Sequence, residues 1–260
     1  MKLSIYQVDA FANQLFEGNP AAVVPLEQWL DDDVMKNIAQ ENNLAETAFF
    51  VKEGNAYHIR WFTPNKKEVS LCGHATLASA YVLFEELGYS SDTIHFTCLA
   101  GVLTVVRENE LITMDFPAQP PVPCETYTLL EKGLGVKPVE CLEDEDILVR
   151  VESEAVLKSI EPNHEFLKQL PLRGVIVTAK SEKYDFVSRF FAPKYGIPED
   201  SVTGSSFTKL TPYWANTLDK TDFKARQISE RGGDVFTSLK GDRVTVAGYA
   251  HLYMKGEIKV

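Results

Sequence analysis

The sequence has no run of lysine or arginine: its 26 basic residues are outnumbered by 37 acidic ones, for a formal net charge of -11. Nonspecific binding to a phosphate backbone needs clustered cations that displace counterions, so nucleic acid is not expected as a partner. The acidity implies neither a cationic ligand nor a metal, because an excess of this sign serves solubility. No apolar run approaches the roughly 18 residues that span a bilayer. Met1 leads directly into a strand-like segment, without the charged stretch and apolar core of a secretory leader. No membrane association is expected, and the chain reads as cytoplasmic. Cysteine is scarce as well. Cys72, Cys98, Cys124 and Cys141 form no CxxC pair, and His58, His95, His164 and His251 show no zinc-ligand spacing. Free thiols in a reducing compartment are expected, with neither a disulfide framework nor a metal site.

What is present is the material of a globular protein. Hydrophobic residues make up 45% of the 260, enough to bury a sizeable core, and the length exceeds the usual single domain and points to two. In the first half, residues 3–8, 21–24, 48–51 and 57–62 read as strands from their β-branched and aromatic content. Asp31 to Asp33 begin a helix through about Gln40, since carboxylates satisfy free amides and favour the positive helix end. A second helix is expected over residues 75–87, stopping at Gly88, followed by strands at 93–98, 102–107 and 111–116. Residues 117–123 carry four prolines and read as a linker. The domains are therefore placed at 1–118 and 119–260, the last strand being a candidate to return to the first domain. The second half repeats the plan loosely, with strands near 147–151, 175–179 and 186–191, a helix after Thr203, and strands at 224–229, 235–239, 243–247 and 251–254.

One event recurs in both halves: a loop of small residues feeds a buried helix, at Cys72-Gly73-His74-Ala75 and at Val202-Thr203-Gly204-Ser205. Unpaired amides at a helix start, with the helix dipole behind them, attract an anion, and glycine lets a ligand approach the backbone. If the halves face one another, the two starts converge on a substrate carboxylate. The plainer reading is that Gly73 and Gly204 permit tight turns.

Several segments then occur in order: Asp9-Ala10-Phe11, Gly18-Asn19-Pro20-Ala21-Ala22-Val23-Val24, Asn43-Leu44-Ala45-Glu46-Thr47-Ala48-Phe49, Arg60-Trp61-Phe62-Thr63-Pro64, Cys72-Gly73-His74-Ala75-Thr76-Leu77-Ala78 and Asp200-Ser201-Val202-Thr203-Gly204-Ser205. Together they resemble the phenazine-biosynthesis-like (PhzF-type) isomerase family, from the first strand to residues 227–232. The resemblance implies a diaminopimelate-epimerase-like α/β fold of two similar domains. Each is a curved, mostly antiparallel sheet wrapped around a central helix, with the active site in the cleft between them. It also implies a homodimer and a metal-free, cofactor-independent isomerase that moves a proton between carbons of a small carboxylate-containing substrate. Glu46 occupies the position of the family's catalytic glutamate, and His74, Asp200 and Ser205 match its supporting polar residues. Cys72, Gly73, Thr203 and Gly204 are the matching candidates for substrate binding.

The residues' own chemistry runs beside that resemblance. Glu46 precedes Ala48, Phe49 and Phe50, and a carboxylate partly removed from water has a raised pKa, which suits a group alternating between base and acid. Read alone, it is more often a surface carboxylate at a helix end or strand start, and the neighbouring motifs reverse that preference. His74 either polarises a substrate oxygen or relays a proton, or else makes a structural bond at a helix start. Asp200 either orients Glu46 and exchanges protons with it or caps the helix. Ser205 is a neutral donor to substrate. Two-thiol inversion, as in related racemases, needs a partner for Cys72, and the matching position falls near Ser201, so Cys72 reads as a packed residue or a bystander. Arg231 is a candidate to bind an acidic substrate or tie the domains together. The expected activity is isomerisation through Glu46. The alternatives are an amino-acid racemase or epimerase, and a non-catalytic small-molecule-binding protein.

Overall fold

In a computed structural model, residues 1–125 and 127–260 are described. In chain order the elements are β1 (Lys2–Ala10), β2 (Asn19–Leu26), α1 (Asp32–Asn42), β3 (Glu46–Glu53), β4 (Ala56–Phe62), β5 (Glu68–Val69), α2 (Gly73–Tyr81), β6 (Thr93–Cys98), β7 (Gly101–Glu108) and β8 (Leu111–Pro117). There follow β9 (Val122–Pro123), α3 (Thr128–Leu134), β10 (Glu140–Glu143), β11 (Ile147–Arg150), α4 (Glu154–Ser159), α5 (His164–Leu167), β12 (Val175–Lys180), β13 (Phe186–Phe191), α6 (Phe207–Leu218), β14 (Asp222–Gln227), β15 (Gly233–Lys240), β16 (Arg243–Gly248) and β17 (Ala250–Lys259). The chain divides into two compact units, one of Met1–Asp115 with Ala247–Val260 and the other of Phe116–Val246.

In the first unit, β1 lies antiparallel to both β17 and β2, and the ten-residue β17 thereby joins the N-terminal strands. β2 runs parallel to β3, β3 and β4 are antiparallel, and β4 runs parallel to β6. A parallel pair needs a crossover, and α2 supplies it. Every residue of α2 from His74 to Ala80 is buried. Its small side chains let strands close around it, and its hydroxyls do not cost unpaired donors: Thr76 Oγ1 donates to the Cys72 carbonyl at 2.5 Å and Ser79 Oγ to that of Ala75 at 2.7 Å. The helix starts two residues before the sequence signal, and residues 82–86 continue it as one π turn, with the Leu87 amide reaching the Val82 carbonyl at 3.0 Å. α1 begins where the aspartates place it: Asp31 accepts the Asp33 amide at 2.9 Å, and Asn43 in the left-handed conformation ends the helix.

Gly18 shapes the turn into β2. Its φ is +67°, and a Cβ there would lie 2.1 Å from the Ala10 carbonyl oxygen, so only glycine fits. Asp9, buried in β1, accepts the Phe16 amide at 2.8 Å and organises the same loop.

In the second unit, β10 and β11 are antiparallel, β11 and β12 parallel, β12 and β13 antiparallel, β13 and β14 parallel, and β14 and β15 antiparallel. The central helix is α6, buried from Phe207 to Trp214. Trp214 stacks on Phe186 at 5.4 Å between centroids and donates its indole N–H to Thr178 Oγ1 at 3.0 Å. Pro212 inside α6 has no N–H for the Thr208 carbonyl, and the Gln119 amide takes that acceptor at 2.9 Å. Part of the proline-rich segment read as a linker is therefore structural, since Gln119 serves α6 and β9 pairs with β10. A two-residue exposed strand tolerates the proline that a central one would not.

Candidate active site

Glu46 opens β3 immediately after the turn that ends α1, and its pairing partner in β2 is Ala21. His74 is the second residue of α2 and Cys72 its N-cap, while Asn19 opens β2 after Gly18. These elements bring four side chains together. His74 Nε2 lies 3.2 Å from Glu46 Oε2, with side-chain exposures of 7% and 13%. On the other edge of the ring, Nδ1 lies 3.3 Å from Asn19 Nδ2 and 3.6 Å from Cys72 Sγ.

Burial alone holds the His74 imidazole down at about 4, so at neutral pH the ring is uncharged and carries one proton. An ionised carboxylate only accepts, and the Asn19 amide and Cys72 thiol approach Nδ1 as donors. The proton is therefore assigned to Nε2, facing Glu46. That N–H is close to the carboxylate but off line, and among the described residues Nε2 makes no aligned hydrogen bond. It is a buried donor positioned beside a carboxylate with capacity left for a further oxygen.

Glu46, Cys72 and His74 also place three potential metal donors within 4.8 Å of one another. The thiol abuts Nδ1 and the carboxylate abuts Nε2, on opposite edges of one ring. These are three donors, one short of the four ligands of a structural zinc site. Cys72 is packed against the imidazole.

In the second unit, the Asp200 to Ser206 loop is held by Gln227, whose Oε1 accepts the Thr203 amide at 2.9 Å and whose Nε2 donates to the Asp200 carbonyl at 2.8 Å. Thr203 Oγ1 donates to Asp200 Oδ2 at 2.5 Å. Neither Gly73 nor Gly204 has a positive φ, so a left-handed turn is not the reason for either glycine. The first-turn amides of α2 at Gly73, His74 and Ala75 have no intrahelical acceptor, as at any helix start.

Ser205 has a partner that no motif announced. Arg173 Nη2 donates to Ser205 Oγ at 3.1 Å, and the same guanidinium grips Asp146 through Nε at 2.8 Å and Nη2 at 2.5 Å. Asp146 is fully buried, and the equally buried Lys209 Nζ lies 3.6 Å from it. Burial opposes the charge on Arg173, but the bond to Asp146 and the nearby Asp146, Glu145 and Asp200 carboxylates outweigh it and keep the group charged. Gly232 has a φ of +64°, a conformation that favours glycine, beside the Arg226 guanidinium that is tied to Asp234 at 2.6 Å.

Comparisons with known proteins agree with one another. The family profile described as phenazine biosynthesis-like protein matches residues 8–256. An uncharacterized isomerase of Pseudomonas aeruginosa is 49% identical over 99% of this chain and 99% of its own. Another uncharacterized isomerase, from Halalkalibacterium halodurans, is 45% identical over 99% of each chain. A PhzF-family protein of Enterococcus faecalis superposes with a TM-score of 0.98 at 46% identity, each chain covered in full. A hydroxyproline epimerase of Agrobacterium vitis, at 10% identity and a TM-score of 0.63 over 99% of this chain and 92% of its own, shares the fold alone. The mixed, sheet-dominated architecture is thus the one common to PhzF proteins and amino-acid epimerases, and the chain is an isomerase belonging to the phenazine biosynthesis-like protein family.

Proposed function

We propose that the chain is a cofactor-independent isomerase that shifts a proton between carbons of a small carboxylate-bearing substrate, with Glu46 as the acid/base. The observation that carries this is a carboxylate set against an imidazole that burial keeps neutral. Glu46 accepts a proton from a C–H next to an electron-withdrawing group and becomes the neutral acid. His74 does not take that proton, because its ring resists protonation; its Nε2–H instead donates to the oxygen on which negative charge develops. Glu46 then returns the proton to a different carbon on the same face. Asn19 holds the tautomer, and the first-turn amides of α2 offer donors to the substrate carboxylate.

Asp200 and Ser205 are assigned supporting roles on the same substrate, Ser205 as a neutral donor. Alanine at either position is expected to raise KM more than it lowers kcat if the role is binding. A homodimer is the matching proposal for the assembly, and sedimentation equilibrium decides it. A racemase reading draws on the fold shared with epimerases and on the Cys72 thiol beside His74. It requires a second base on the opposite face.

The test is hydrogen exchange in deuterated water with a panel of unsaturated and amino acids, read by mass spectrometry. Glu46→Gln should lower turnover about 100- to 10,000-fold, the usual weight of a general acid/base, with the fold intact. Equal exchange in both proteins would remove Glu46 from the role. Single-base return keeps part of the original hydrogen in the product, whereas two-base inversion brings solvent deuterium to the new face.

A further inference from the structure

Cys124 and Cys141 stand apart from everything assigned above. β9 pairs with β10 in antiparallel register, Pro123 opposite Leu142 and Val122 opposite Glu143. One more step of the same register sets Cys124 opposite Cys141, and the Cys124 amide donates to the Cys141 carbonyl at 3.0 Å. The two Sγ atoms are 3.2 Å apart. Directly opposed, hydrogen-bonded residues of an antiparallel pair have Cα atoms about 5.5 Å apart, inside the roughly 4.4–6.8 Å window of a disulfide. Closing the sulfurs to the roughly 2.05 Å of a bond asks for a small approach. β9 can supply it, being two exposed residues long. We propose that Cys124 and Cys141 are a modification site that closes to an intrachain disulfide when a small-molecule disulfide acts on the folded protein.

Cys124 reacts first, being half-buried where Cys141 is buried. Its thiolate attacks one sulfur of oxidised glutathione and expels one glutathione thiolate. Cys141 gives its proton to solvent and attacks the Cys124 sulfur of the mixed disulfide, expelling the second glutathione thiolate. Two protein S–H bonds are lost and one S–S bond is formed, and the glutathione disulfide is reduced to two thiols. Burial first, and the neighbouring Cys124 sulfur second, push the Cys141 thiol up to about 12, and burial also raises Cys124. Closure is therefore slow near neutrality and quickens with rising pH. The bridge joins residues 17 positions apart, the intervening chain carrying α3. It constrains the unfolded chain, so the oxidised form should melt at a higher temperature.

The experiment uses the full, folded chain with oxidised glutathione at about pH 8.5, the ordinary thiol pKa, followed by alkylation, proteolysis and peptide mass spectrometry. The expected product is a single crosslink between the Cys124 and Cys141 peptides, lighter by two hydrogens and reversed by dithiothreitol. Cys124→Ser should leave Cys141 open to alkylation once the chain is unfolded. The proposal is overturned if Cys124 ends as a stable glutathione adduct or links two chains. It is equally overturned if both thiols stay free over a time that oxidises the same chain in denaturant.

Discussion

Removing the titration of His74 by His74→Gln tests the centre of the site, because a ring held neutral by burial couples acidity to folding. Its ordinary value is 6.5 and the folded protein lowers it to about 4. At about 1.4 kcal/mol per pH unit, that difference is about 3 kcal/mol of preference for the neutral ring. The folded ring binds its proton less readily than the unfolded one, so between these values the unfolded chain holds more protons. Stability from this residue is complete above pH 6.5 and falls as pH drops through the window to 4. The variant has no such loss. Urea unfolding from pH 7 down to pH 4 should therefore show the wild type losing stability relative to His74→Gln by up to about 3 kcal/mol. The comparison is repeated in a Glu46→Gln background, so that protonation of the neighbouring carboxylate does not enter. In parallel, the imidazole resonance missing from the variant should stay unmoved as pH falls from 8 to 5. A His74 signal that titrates near 6.5, or a stability difference independent of pH, would mean that burial does not hold the ring neutral.

Asp146→Asn takes the carboxylate from Arg173 while leaving Lys209 buried beside it, and should cost about 3–5 kcal/mol in urea unfolding, the usual result of breaking a buried ion pair from one side; a variant as stable as its parent contradicts that role for Asp146. Gly18→Ala faces both a left-handed φ and the Ala10 carbonyl, so a loss of more than about 1 kcal/mol is expected, with slower exchange because Asn19 moves; a neutral outcome in calorimetry would contradict the need for glycine in this turn. Asn19→Asp offers an acceptor to His74 Nδ1, drawing the ring proton away from Glu46, and should reduce exchange more than Asn19→Ala does. Two-dimensional 15N spectra of the imidazole distinguish the two tautomers directly.

The parts of the fold legible in the sequence are those whose signal is local. The aspartates before α1, the small residues of α2 and the β-branched runs of β1 to β4 each dictate conformation through their own backbones or caps. α3, α4 and α5 carry only 7, 6 and 4 residues, too few for a 3.6-residue period to register. Their visible marks are the N-caps Ser153 and Asn163, which accept the Val156 and Glu165 amides. The π turn after α2 has no compositional mark at all. Glu46 and His74 stand out because their segments are recognisable in order. Arg173 and Asp146 do not, being 27 positions apart with no motif around either. Cys124 and Cys141 read as separate free thiols in the sequence, since only the register of β9 on β10 makes them neighbours.

In the proposed mechanism, the chemistry of the site is set two steps away from the Glu46 carboxylate. Gly18 alone can make the turn that delivers Asn19 to the back edge of His74. Asn19 and Cys72 fill that edge with donors, and the ring's single proton is left on Nε2. Burial disfavours a second proton, so in that mechanism the imidazole faces Glu46 as a hydrogen-bond donor rather than as the acid. A charged imidazolium at that distance would pair with the carboxylate and weaken it as a base. A neutral ring with its proton on the far nitrogen would set a lone pair against the carboxylate. Only the neutral Nε2–H form leaves Glu46 basic and still supplies a hydrogen bond for developing charge. In the proposed mechanism, the glycine and asparagine at the entry to β2 thus serve the acid/base pair, although neither exchanges a proton with substrate.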